Sequence, residues 1–115
     1  MSSTTQTSSD LAKKKCNACE GKVEALKESE IQDYLKKVSG WEFADGVIRK
    51  EFKFKNYYET VSFINAVAWI ANKENHHPDI QFGYKNSLVN FVTHSVNGVT
   101  ENDFICAAKI DELFA

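Results

Sequence analysis

Apolar residues recur at two different periods along this chain. From Glu30, residues Ile31, Tyr34, Leu35 and Val38 return every three or four positions, and Gly40 follows as a stop signal. This spacing predicts a short helix. Trp41 to Phe43 then begins a strand, and Ala44-Asp45-Gly46 reads as a hairpin turn in which Gly46 supplies the positive φ. The return strand runs from Val47 to about Phe54. Ile48, Phe52 and Phe54 take one face of it, while Arg49, Glu51 and Lys53 take the other. A strand of this kind belongs to an antiparallel sheet with one packed face and one wetter face.

Asn56 is placed to cap a long helix from Tyr57 to about Lys73. Its residues are apolar over most of the circumference, and Ser62, Asn65 and Asn72 form a narrow polar stripe. Such a helix must be covered on more than one side, which predicts a second helix layer together with a subunit interface. Ile80, Phe82 and Tyr84 alternate as a third strand, and Lys85-Asn86 reads as a tight turn. A fourth strand spans Ser87 to Thr93, with Leu88, Asn90 and Val92 on one face and Val89, Phe91 and Thr93 on the other. Asn97-Gly98 is another turn. Thr100 with Asp103 three positions on is a capping-box pattern opening a last helix, which carries Phe104, Ala107, Ile110, Leu113 and Phe114. The predicted class is α+β: a four-stranded antiparallel sheet with helices packed on one face, in the order α-β-β-α-β-β-α. Residues 1–29 read as a flexible N-terminal tail and 30–115 as the folded domain.

Composition narrows the function. The 115 residues are 43% hydrophobic and 26% charged, with a net charge of −2, which suits one soluble domain and offers no field for nucleic acid or an anionic membrane. No apolar run approaches the roughly 20 residues of a membrane span. The N-terminus lacks a basic region followed by an apolar one, which argues against secretion. Met1 to Ser9 is nearly all Ser, Thr and Gln, the composition of a disordered tail; an organellar transit peptide is the weaker alternative. Three cysteines without a secretion signal point to reduced thiols. Cys16-Asn17-Ala18-Cys19 has zinc or redox spacing, but no second such pair supplies the other zinc ligands. Nor does a strand precede it, as a thioredoxin-like site requires. Cys106 reads as a small core residue.

The candidate chemistry lies in Glu74-Asn75-His76-His77-Pro78-Asp79. Two of the three histidines stand side by side before the single proline, and the third, His94, ends the fourth strand. The hairpin from residue 79 to 93 is tight, so its open ends lie together and His94 returns close to His76 and His77. Imidazoles titrate near neutrality, so the three can supply an acid, a base and an orienting group without a metal. A solvated loop histidine or a strand-end cap is the plain alternative for any one of them. A catalytic zinc is a weaker one, because adjacent histidines on an extended segment point apart. Asp103 has two readings: it can favour the N-terminus of the last helix, or it can orient His94.

His76-His77-Pro78, then Tyr84, His94 and Asp103 at these spacings resemble the signature of pterin-4a-carbinolamine dehydratases. The resemblance extends through Gly40-Trp41, Phe52-Lys53-Phe54 and the long helix, over about residues 30 to 114. The N-terminal Lys-Lys-Cys-x-x-Cys-Glu-Gly stretch is also similar to some members. It implies removal of water from 4a-hydroxytetrahydropterin to give quinonoid dihydropterin, within tetrahydrobiopterin recycling for aromatic amino acid hydroxylases. It implies no metal, no bound cofactor, and a homodimer or homotetramer, with a hydroxylase as a further partner. A cytoplasmic location follows, with the nucleus as an additional one. The essential histidines carry over to His76, His77 and His94, with Asp103 supporting and with Asn72, Pro78 and Tyr84 binding substrate. On this reading His76 and His94 form the proton-transfer pair and His77 orients the pterin. One departure is Asn72, where the family usually carries a charged residue. Animal members also stabilise dimers of a homeodomain transcription activator, and a role with other pterins, including the molybdenum cofactor pathway, is a further alternative.

Overall fold

The computed structural model describes residues 7–16 and 24–114. Its elements are α1 (Ser8–Ala12), α2 (Glu28–Leu35), β1 (Glu42–Ala44), β2 (Val47–Lys53), α3 (Tyr57–Glu74), β3 (Asp79–Phe82), β4 (Asn86–Phe91) and α4 (Glu101–Asp111). The four strands form one antiparallel sheet in the order β1-β2-β4-β3. The two hairpins therefore meet through β2 and β4, which leaves β3 at an edge.

Pairing registers explain the two faces. Ile48 lies opposite Phe91 and Phe52 opposite Ser87, while Ile80 lies opposite Val89. These positions point inward, and Ile48, Phe52, Val89 and Phe91 are buried. Arg49, opposite Asn90, turns outward and pairs with Glu42 across β1 and β2 at 3.1 Å. The alternation expected from the sequence is thus the alternation of the sheet.

Turn chemistry closes the first hairpin. Asp45 and Gly46 both have positive φ, 55° and 80°, the left-handed pair that matches strand twist. Gly40 has φ +88°, and a Cβ there would come within 2.9 Å of the Lys50 side chain. Lys50 Nζ donates to Asp111 at 3.0 Å, and Trp41 Nε1 donates to the same carboxylate at 3.1 Å. The second hairpin turns one residue earlier than expected: Gly83 and Asn86 close it, with Tyr84 and Lys85 at its tip.

The N-terminal segment differs from the expected tail. Thr7 and Asp10 form a capping box for α1, α1 lies against α4, and Leu11 is fully buried in the core. One apolar residue in a polar stretch has no periodicity to read, so only the tertiary contact reveals it. Cys19 lies outside the described residues. α3 follows expectation, with the Asn56 side chain accepting from Glu59 N at 2.8 Å. Its buried residues Thr60, Phe63, Val67 and Ala71 face the core.

Candidate active site

The C-terminus of α3 sets the corner. Asn75 adopts the left-handed conformation (φ 53°, ψ 41°), and His76 N donates back to Ala71 O at 3.1 Å. This is a Schellman-type stop, and Asn tolerates the left-handed region better than most residues. The reversal turns His76 into the core. The residue is 5% exposed, and its ring stacks on Phe91 with centroids 5.9 Å apart and planes 8° from parallel. His77, the next residue, is exposed, as adjacent side chains on an extended segment point apart.

Asp103 receives His76. It is fully buried in the first turn of α4, and its Oδ1 lies 2.6 Å from His76 Nε2. Oδ2 accepts from Thr100 N at 2.8 Å and from Thr93 Oγ1 at 2.9 Å. Thr93 and Thr100 hydroxyls meet at 2.8 Å. Each hydroxyl has one proton. Since Thr93 gives its proton to Asp103, Thr100 gives its own to Thr93. With the carboxylate as acceptor, His76 Nε2 carries the proton of this contact, which fixes the ring against Asp103.

His94 follows Thr93 in a short turn. Thr93 pairs with Gly98 through backbone bonds of 3.0 and 3.3 Å, and Asn97 takes the left-handed position. His94 is exposed. Of the three histidines, His76 contacts the Asp103 carboxylate directly; His77 follows it in sequence, and His94 follows Thr93, which donates to the same carboxylate. Asp103 caps α4 by accepting from Thr100 N, and the histidine it contacts is His76, not the His94 expected from the sequence.

The other expected site residues are spread out. Pro78 is half-buried directly after His77 and before β3, and Asn72 is exposed in the last turn of α3. Tyr84 lies at the tip of the β3–β4 hairpin, at the opposite end of those strands from the histidines. There it stacks on Tyr57 with centroids 6.0 Å apart, and its carbonyl accepts from Thr60 Oγ1 at 3.0 Å. Sequence reasoning does not find Thr93 and Thr100 as site residues. The signal is present, since Thr100 heads the capping box and Thr93 precedes His94, but hydroxyls have no distinctive spacing of their own.

The chain matches the family model described as pterin 4 alpha carbinolamine dehydratase over residues 24–113. It is 53% identical over 105 residues to a Nitrosospira multiformis protein provisionally named pterin-4-alpha-carbinolamine dehydratase, covering 91% of this chain and 93% of that one. A similarly named protein of Legionella pneumophila (strain Corby) is 52% identical over 108 residues, covering 91% and 96%. Among solved structures, the transcriptional coactivator/pterin dehydratase from Brucella melitensis superposes with a TM-score of 0.76 at 35% identity, covering 79% of this chain and 99% of that one. A pterin dehydratase-like RuBisCO assembly factor of the alpha-carboxysome shares the fold, with a TM-score of 0.54 at 24% identity over 64% and 84% of the two chains.

Proposed function

Because this chain belongs to the pterin-4a-carbinolamine dehydratase family, we propose that it removes water from a 4a-hydroxytetrahydropterin to give the quinonoid dihydropterin. The observation that carries this reading is the buried His76–Asp103 pair, 2.6 Å apart, with exposed His77 next to His76 in sequence and exposed His94 next to Thr93, which donates to the same Asp103. The hydroxyl on C4a leaves poorly unless it is protonated, and the N5 proton must depart as the C4a–N5 double bond forms. One imidazolium and one imidazole perform both transfers near neutral pH. Burial favours a different division of labour from the one the resemblance suggested. His76 is enclosed by Phe91 and Asp103, so it acts as the positioning group, and His77 and His94 exchange protons with the pterin. Asn72, one helical turn before His76, and Pro78, directly after His77, contact the substrate, whereas Tyr84 stands at the far hairpin tip, away from the histidines.

A coupled assay tests this. A hydroxylase generates 4a-hydroxytetrahydropterin, and its decay is followed with and without this protein after chelator treatment. Accelerated decay is the expected result; decay at the spontaneous rate refutes the reading. His77→Ala and His94→Ala should each lower kcat by about 10²- to 10⁴-fold, the range of a lost acid or base, with an unchanged unfolding midpoint. His76→Ala should lower both kcat and stability, since it strands a buried carboxylate.

The setting we assign to this reaction is tetrahydrobiopterin recycling in the cytoplasm. The Brucella melitensis relative carries both names, transcriptional coactivator and pterin dehydratase. A binding role for this chain would survive loss of the histidines, so a pull-down with the histidine variants separates the two.

A further inference from the structure

Two sulfurs 90 residues apart in sequence meet in the fold. Cys16, half-buried just beyond α1, places its Sγ 3.6 Å from the Sγ of Cys106, which is fully buried in α4. The contact is held from several sides. The Cys16 thiol reaches Asn102 O at 3.7 Å, and Cys16 N donates to Glu74 Oε1 at 2.9 Å. Upstream, Lys109 Nζ donates to Ala12 O at 2.6 Å, and Lys14 pairs with Glu101 at 2.7 Å. The segment therefore runs along α4 with Cys16 aimed at one sulfur of that helix. Its hydrogen bond to Cys16, with burial, pushes the Cys106 thiol up and keeps it protonated. The half-exposed Cys16 is then the sulfur that meets a reagent from solution.

We propose that Cys16 and Cys106 form an oxidation site at which hydrogen peroxide joins them into an intramolecular disulfide, fastening the N-terminal segment to α4. The Cys16 sulfur attacks one peroxide oxygen, the O–O bond breaks, and the leaving hydroxide takes the thiol proton as water. The Cys106 sulfur then attacks the resulting sulfenic acid. The S–O bond breaks, and hydroxide leaves with the Cys106 proton as a second water. Two electrons pass from the sulfurs to one peroxide. The sulfurs must close to about 2.05 Å, a movement of about 1.6 Å. The segment supplies it, because Cys106 sits among the buried residues of α4. The linked helix is the one that carries Asp103 one turn earlier, so the bond would anchor that helix. This inference does not depend on the dehydratase reading.

The nearest rival is pairing within Cys16-x-x-Cys19, and the test separates them. The reduced full-length chain is treated with hydrogen peroxide, its remaining thiols are blocked, and it is digested with trypsin without reduction. Wild type and Cys19→Ser should both yield peptide 16–22 joined to peptide 86–109 with loss of two hydrogens. Cys16→Ser and Cys106→Ala should not. Cys16 is half-buried, so its variant serves as the control if Cys106→Ala fails to fold. A Cys16–Cys19 link with Cys106 still open to alkylation after denaturation would overturn the proposal. So would a Cys19→Ser chain that gives no cross-link, or a cross-link confined to dimers on a non-reducing gel.

Discussion

The Asp103 carboxylate gathers one ring N–H, one hydroxyl and one backbone N–H in a site with no solvent exposure. An acceptor so buried is costly to leave short of a donor, and hydrogen bonds to charged groups are the stronger kind. Thr93 is therefore a positioning residue on the proposed mechanism, since it holds the carboxylate that holds His76. Thr93→Val should lower kcat about tenfold, equivalent to roughly 1.4 kcal/mol, while leaving KM within twofold or so. Thr93→Ser, which keeps the hydroxyl, should restore most of it. Steady-state kinetics of the two variants check this; equal losses would assign Thr93 to packing alone.

Among the elements, α2 and α4 meet through aromatic stacking that also brings a phenol beside acids. Tyr34 stacks on Phe104 with centroids 4.9 Å apart. Burial first, then the charge and hydrogen bond of Glu101 and the charge of Glu30, push the Tyr34 hydroxyl up from 10.0 to about 12. A group whose folded pKa exceeds its unfolded value contributes fully below the unfolded value and loses that contribution as pH rises through the folded one. The α2–α4 contact should therefore weaken between about pH 10 and pH 12. Absorbance titration of phenolate should show one late-ionising tyrosine, and a denaturant series should show stability falling over the same window. Tyr34→Phe should remove both effects. The left-handed Asn75 shows an element ending for a local reason with a distant result, because its reversal is what brings His76 to α4.

Over the whole molecule, α3 leaves one face open. Tyr58, Ser62, Asn65, Trp69 and Asn72 fall on that face, and Tyr58 and Trp69 are 86% and 68% exposed. Leu113 and Phe114 are also exposed, beside a groove lined by Phe54, Tyr58, Phe63 and Ala66. Large exposed aromatics on a helix packed only along its other side are the mark of an association surface. The protein should sediment at a mass above the 13.0 kDa of one chain. Trp69→Glu should shift it toward the monomer, measured by analytical ultracentrifugation. A monomeric wild type at micromolar concentration would remove this face as an interface.

Local rules were enough to determine much of this protein. Period-two runs produced β2 and β4 with the alternation of faces seen in the sheet, Asn56 and Thr100 capped α3 and α4, and Asp45-Gly46 closed a hairpin. Each of these depends on neighbours within a few residues, where sterics and hydrogen bonding act directly. The return of the chain after β4 toward the start of β3 was also legible, because a tight hairpin must bring its ends together. Only the tertiary structure decided which histidine is buried, since that follows from Phe91 and Asp103 packing against it across the fold. It likewise decided that Asp103 serves His76, that Tyr84 stands at the far end of the hairpin, and that Leu11 and Cys16 pack against α4. Those outcomes rest on contacts between residues far apart in the chain, where burial and hydrogen-bond satisfaction choose among partners that periodicity cannot distinguish.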